Sequence, residues 1–163
     1  MSAIAAISTP NAPGGIAVIR ISGDTALEIA DCVFKSISGK KACDMAGYTC
    51  SYGAAYDNDE RIDDCILTVF RAPNSYTGEN VAEISCHGGL YVTKRILRTI
   101  LANGAESAAA GEFTKRAFLN GRIDLSQAEG VMDLIDASNR LAMKHSAGQV
   151  RGSLKDKMTE LRT

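Results

Sequence analysis

All three prolines of this 163-residue chain fall before residue 74, and from Asp124 to Thr163 there is no proline and only three glycines. Proline removes a backbone donor and is excluded from helix and strand interiors. The first part must therefore be a set of short, punctuated elements, while the last forty residues are free to form long helix. Leu125, Ala128, Met132, Ile135, Ala142, Val150, Leu154, Met158 and Leu161 recur there at helical spacing. As one helix, at about 1.5 Å per residue, this segment is longer than a small domain is wide. Its apolar stripe has no sequence-adjacent partner helix, so it is expected to pack against further chain, a second copy or both; the other reading is a terminal helix folded back on the domain. Gly148 and Gly152 mark a kink or a close helix crossing in this reading.

Before residue 124 the pattern switches between strand and helix. Ile4–Ile7 reads as a strand, stopped by a loop with Pro10, Pro13, Gly14 and Gly15. The β-branched run Ile16–Ile21 is a second strand. Ser22-Gly23-Asp24 starts a helix in which Ala26, Leu27, Ile29, Ala30, Val33 and Phe34 share a face, ending at Ser38–Lys41. Tyr48–Tyr56 and Arg61–Phe70 form a hairpin across the acidic turn Asp57–Glu60. A breaker-rich loop, Pro73–Gly78, precedes the strand Val81–Cys86. His87-Gly88-Gly89 opens a helix to about Ala102, closed by Asn103-Gly104. A short strand near Ala105–Ala108 and a short helix within Gly111–Gly121 follow. The fold class is α+β, a mixed β-sheet with helices, followed by a helical segment.

Composition fits a globular chain, with 45% apolar and 23% charged residues. The net charge of −1 hides an asymmetry: residues 1–80 sum to −4 and residues 81–163 to +3. A polyanion contact would favour the second half. Five cysteines with no C-x-x-C spacing, and only two histidines, argue against a disulfide framework or a zinc site and for reduced thiols in a cytoplasmic protein. The start carries no basic residue before Arg20 and no adequate apolar run for a signal peptide, and no stretch is long enough to span a bilayer.

Few residues invite chemistry. Glu83 is a carboxylate inside an apolar strand, which costs stability unless it is paired, ligand-bound or on a solvated face. Arg20 is a cation near the end of another apolar strand and reads as a ligand contact or as half of an ion pair. Cys86-His87 would suit a nucleophile and base, but neighbours along a strand point to opposite faces. The helix start after Gly89 offers backbone N–H groups to an anion or a carbonyl. His145 reads as a packed or partly exposed histidine. Lys94-Arg95, Arg98, Lys115-Arg116 and Arg122 form small basic groups that are solvated faces or phosphate contacts. No G-x-x-x-x-G-K-[ST] or G-x-G-x-x-G string occurs.

Several strings go further. Ala6–Pro10, Gly14–Gly23, Ala72–Val81, Glu83-Ile84, His87-Gly88-Gly89, Gly111–Glu129 and Asp133–Ala137 resemble, in order along the chain, the opening of the MnmE (TrmE) family of tRNA-modifying GTPases. The resemblance implies a domain over residues 1–119 similar to the folate-binding domain of aminomethyltransferases, followed by the first part of a helical domain over residues 120–163. It implies a homodimer that binds a tetrahydrofolate derivative (5-formyl- or methylene-tetrahydrofolate) through Arg20, Glu83 and Arg122. The family often has lysine at the last position, which keeps the cation and changes its geometry.

The same resemblance places GTP, Mg2+ and K+ in a G domain outside this chain. It further implies joint action with an FAD-containing partner, MnmG (GidA), on carbon 5 of the wobble uridine of tRNA. No catalytic residue and no metal ligand is expected among these 163 residues. Two other readings stay open: a stand-alone folate-dependent aminomethyltransferase-like enzyme, and a non-enzymatic dimerisation or tRNA-docking module.

Overall fold

A computed structural model describes residues 1–152 of the chain. Leu154, Met158 and Leu161 of the expected apolar stripe lie outside the described residues. The chain divides into two compact units, Met1–Ala110 and Gly111–Thr163.

The first unit is built on one seven-stranded mixed sheet. Its elements are β1 (Ile4–Ile7), β2 (Ile16–Ser22), α1 (Ala26–Val33), β3 (Phe34–Ser36), β4 (Thr49–Asp57), β5 (Glu60–Phe70), β6 (Val81–His87), α2 (Leu90–Ala102) and β7 (Glu106–Ser107), with one 3-10 turn at Ala42–Asp44. The strand order is β3-β4-β5-β6-β2-β1-β7. Every pairing is antiparallel except β1 with β7. Side chains alternate as a sheet requires. Ala17, Ile19 and Ile21 of β2, Cys65, Leu67 and Val69 of β5, and Ala82, Ile84 and Cys86 of β6 enter one core with α1 and with Ile96 and Ile100 of α2. Each buried Ile or Leu there contributes roughly 2 kcal/mol. The opposite face carries Ile16, Arg20, Ile66 and Glu83, of which Ile16 is 71% and Ile66 46% exposed.

The acidic hairpin turn forms where expected, with Asn58 left-handed at φ 54. The first helix is shorter than its apolar spacing suggests. It ends at Val33, and Phe34 continues as the first residue of an edge strand opposite Ala55. Phe34 is buried either way; the competing ladder with β4 decides its backbone. That ladder runs very close at Gly53, where an added Cβ would lie 2.2 Å from the Lys35 carbonyl oxygen and 2.6 Å from Phe34 Cζ.

The second unit contains α3 (Glu112–Leu119), α4 (Leu125–Asp136) and α5 (Arg140–Val150). Asp124 caps α4 in a reciprocal box with Gln127, each side chain bonding the other's backbone N–H at 2.9 Å. The proline-free tail is not one helix over its described part. It breaks at Ala137–Asn139, because the Asn139 side chain accepts from the Ala142 N–H at 2.9 Å and caps a new helix. The α5 helix then packs on α4, supplying the partner that the sequence seemed to lack. A close crossing falls at Gly130, whose added Cβ would lie 2.8 Å from Gln149 Cβ. Gly152 is left-handed at φ 80, just past the last helical residue. Leu125, Met132 and Ile135 remain exposed on α4. Among the described residues, no helix is long and apolar enough to cross a membrane.

Replacing Gly53 by alanine should lower stability by about 1–3 kcal/mol, the usual cost of overpacking. Urea denaturation followed by circular dichroism would show this as a lower midpoint with an unchanged slope. A wild-type midpoint would mean that β3 yields at no cost.

Candidate functional site

Arg20 and Glu83 face each other across the β2–β6 ladder, in direct register. Arg20 Nε donates to Glu83 Oε1 at 2.7 Å. The pair lies on the sheet face away from the helices, with the two side chains 25% and 22% exposed. The guanidinium also stands over the Tyr76 ring, 5.5 Å from its centroid, within cation–π range. Two candidates chosen separately from sequence are thus partners of each other, at a half-buried position where the pair costs little and stays reachable.

Tyr76 belongs to the loop between β5 and β6, and that loop is knitted onto the end of β2. Ser22 Oγ donates to Glu79 Oε2 at 2.7 Å and lies 2.7 Å from Thr77 Oγ1. Glu79 N–H donates to Thr77 Oγ1 at 3.3 Å, and Ser75 Oγ donates to the Glu79 carbonyl at 2.6 Å. Ser22, Ser75, Thr77 and Glu79 are all buried. Reading the string only as a breaker-rich loop missed these residues. The available signal was four hydrogen-bonding side chains in five residues, Ser75 to Glu79, too many for a plain connection.

Arg122 lies in the second unit, exposed, beyond α3, with its backbone N–H donating to the Ala117 carbonyl at 2.9 Å. Cys86 points into the core and His87 out of it. Asp63, not Cys86, is the histidine's partner: it accepts from the His87 backbone N–H and meets Nδ1, both at 2.8 Å. Burial, reinforced by the nearby Asp63 charge, pushes the Cys86 thiol up to about 11. Burial, and then Cys86 itself, pushes Cys65 up to about 12. Raised this far, both thiols stay overwhelmingly protonated at neutral pH.

Of the basic group on α2, Arg95 is engaged by the hairpin turn, while Lys94 is exposed and Arg98 stays 75% exposed. Arg95 donates to both carboxylate oxygens of Glu60 in the hairpin turn, at 2.9 and 2.5 Å, and Asp57 lies 3.6 Å from Arg95 and 3.8 Å from Arg98. The bonds from Arg95, and then its charge, hold the Glu60 carboxyl below the usual carboxylate range. In the second unit Arg116 is buried and pairs with Glu112 at 3.4 Å. His145 is exposed and lines a hollow of about 560 Å³ with Asp133 and Asp136. Among the described residues, no group of histidine, cysteine, aspartate and glutamate is arranged to hold a metal ion. In the first unit, Ile16, Tyr52 and Ile66 line a hollow of about 360 Å³ on the same sheet face as Arg20 and Glu83, edged by Asp64 and His87.

Residues 3–122 match the family described as the GTP-binding protein TrmE N-terminus. That is most of the chain, and the chain belongs to this family. At the level of a particular protein, its relatives are tRNA modification GTPases named MnmE. The one from Clostridioides difficile (strain 630) is 52% identical over 159 residues, covering 98% of this chain and 35% of the relative. Those from Geobacillus kaustophilus (strain HTA426) and Chlorobaculum tepidum are 51% and 47% identical, over 98% of this chain. The chain spans about a third of the length of these curated relatives.

Iodoacetamide at pH 8 should label exposed Cys32 and Cys50 in the folded protein and leave Cys65 and Cys86 unmodified until denaturant is added. A thiol at about 11 is only about one part in a thousand thiolate at that pH. Rapid native labelling of Cys86, read by peptide mass spectrometry, would contradict its placement.

Proposed function

We propose that this chain is the tetrahydrofolate-binding and dimerising region of a GTPase that modifies carbon 5 of the tRNA wobble uridine together with an FAD-containing partner, MnmG (GidA). The GTP, Mg2+ and K+ sites belong, in this reading, to the two thirds of its relatives' length that the chain does not span. Its setting would be the cytoplasm. The family membership supports the general role, and the partly exposed Arg20–Glu83 pair on the sheet face away from the core is the observation that carries the ligand assignment.

The donor and acceptor types fit a folate. A pterin edge offers an N–H beside an exocyclic amine, and a carboxylate accepts from both in charge-assisted bonds. The one bond that the described residues give Glu83 uses Oε1, so Oε2 is suited to that edge. Arg20 suits a carboxylate of the glutamate tail or the carbonyl of a one-carbon group. Arg122 is assigned the second cationic contact by its match to the family pattern. Bound folate would supply the one-carbon unit. The residues here would orient it, with the Arg20 charge limiting what the site accepts to anionic or carbonyl-bearing ligands.

Replacing Glu83 by alanine is expected to weaken 5-formyltetrahydrofolate binding by at least ~2 kcal/mol, about thirtyfold, since the pterin edge loses its acceptor. Titration calorimetry reads this directly, and an unchanged affinity removes the role from Glu83.

Dimerisation is supported by the apolar hollow of Ile16, Tyr52 and Ile66, large side chains exposed together on one sheet face. The double substitution Ile16→Asp/Ile66→Asp should shift the molar mass seen by light scattering from dimer to monomer. A dimer with no folate heat would instead favour the docking-module reading.

A further inference from the structure

The helix α2 carries charge of one sign. Its thirteen residues include Lys94, Arg95 and Arg98 and no carboxylate. Tyr91, Lys94 and Arg98 follow at i, i+3 and i+7, so they fall on one stripe about 10 Å long. The opposite stripe, Thr93, Ile96, Thr99 and Ile100, is buried. Tyr91 is 75% exposed, the Arg98 side chain 75%, and Lys94 is exposed.

The helix itself gains nothing from this set, because Lys94 and Arg98 are like charges one turn apart, which opposes helix formation. The hairpin turn beside α2 does not cancel them. Its Glu60 is taken by Arg95, through two bonds from one guanidinium. Asp57 is shared, 3.6 Å from Arg95 and 3.8 Å from Arg98. Among the described residues, Asp59 of the same turn makes no ion pair with α2. Three cations thus meet two carboxylates, and the exposed remainder is positive.

An exposed tyrosine standing alone needs no explanation. A tyrosine in line with two exposed cations has the makeup of a strip that takes a strand of nucleic acid, with cations for the phosphates and a ring on which an unstacked base lies. An acidic peptide would use the cations and leave the flat face of Tyr91 without a counterpart.

We propose that the Tyr91–Lys94–Arg98 stripe of α2 is an RNA contact surface, in which Lys94 and Arg98 meet two phosphates and Tyr91 stacks on a base of a single-stranded loop. The proposal gives a surface to the tRNA part of the reading above and rests on that part. Contacts of this kind position an RNA and do not read its sequence.

The test titrates a fluorescein-labelled anticodon stem-loop RNA, with uridine at the wobble position, with the 163-residue chain and follows anisotropy at several salt concentrations. Lys94→Gln/Arg98→Gln should weaken binding about tenfold at low salt and make the dependence of log K on log salt shallower by about one for each lost phosphate contact. Tyr91→Leu should weaken binding about fivefold with that slope unchanged, and Tyr91→Phe, which keeps the ring, should bind as wild type. Lys40→Gln/Lys41→Gln removes the same charge from another exposed site in the first unit and should change neither quantity.

The proposal is overturned if the chain does not bind the RNA at low salt, if the Lys40/Lys41 control weakens binding as far as Lys94→Gln/Arg98→Gln, or if Tyr91→Leu binds as wild type. It is also overturned if polyglutamate binds with the same dependence on Tyr91, which would make the stripe a docking site for an acidic protein. If Tyr91→Leu does not fold, the Lys94/Arg98 variant and its control still decide. If calorimetry shows that 5-formyltetrahydrofolate binds while the RNA does not, this surface fails and the folate reading stands. The reverse result upholds the surface and favours the docking-module reading.

Discussion

Strand β2 pairs with β6 over seven residues, from Ile16 opposite His87 to Ser22 opposite Val81. That register is the constraint on which the first unit depends. It puts Ile19 beside Ile84 and Ile21 beside Ala82 in the core, and Arg20 beside Glu83 on the other face. A slip of β2 by one residue would turn the Arg20 guanidinium into the core and Ile19 and Ile21 out of it, and would take Arg20 away from Glu83. The penalty for burying that charge against apolar side chains is on the order of several kcal/mol, so the pairing is strongly specified. The site follows from the same condition: the residues that would be intolerable inside are the ones left side by side outside.

Charge is organised on the same principle of local satisfaction. The acidic surplus of residues 1–80 and the basic surplus after residue 80 suggest surfaces for partners of opposite sign. In the structure much of both is spent internally, since Glu60 and Asp57 of the hairpin turn meet Arg95 and Arg98 of α2. Their effect is to engage Arg95 within the unit, while Arg98 and Lys94 stay exposed on the same helix. Glu60 loses this attraction only as pH falls through its lowered pKa, so the arrangement holds throughout the neutral range.

Much of the secondary structure was legible because periodicity and punctuation agree. Ile16–Ile21, Val81–Cys86 and Leu90–Ala102 carry the strand and helix repeats with turn residues at their ends, and the Asn103-Gly104 stop is a local matter of backbone freedom. Phe34 misled because an apolar residue at helical spacing is equally buried in an edge strand. The tail misled because a missing proline permits a long helix without requiring one, and the Asn139 cap is a single side-chain bond. The family resemblance was carried by extended strings, Gly111–Glu129 above all, and needed no structure.

For the site, the sequence by itself determined which residue types were out of place: a carboxylate in an apolar strand and a cation near the end of another. Only the tertiary structure decided that Arg20 and Glu83 meet, that Tyr76 lies under the guanidinium, and that Ser22, Thr77 and Glu79 close a buried ring. The reason is separation along the chain. Arg20 and Glu83 are 63 positions apart, and Ser22 and Glu79 are 57. No local propensity links residues at that distance. Their contact is fixed by the strand order and register of the whole sheet, which many short segments specify jointly and none specifies alone.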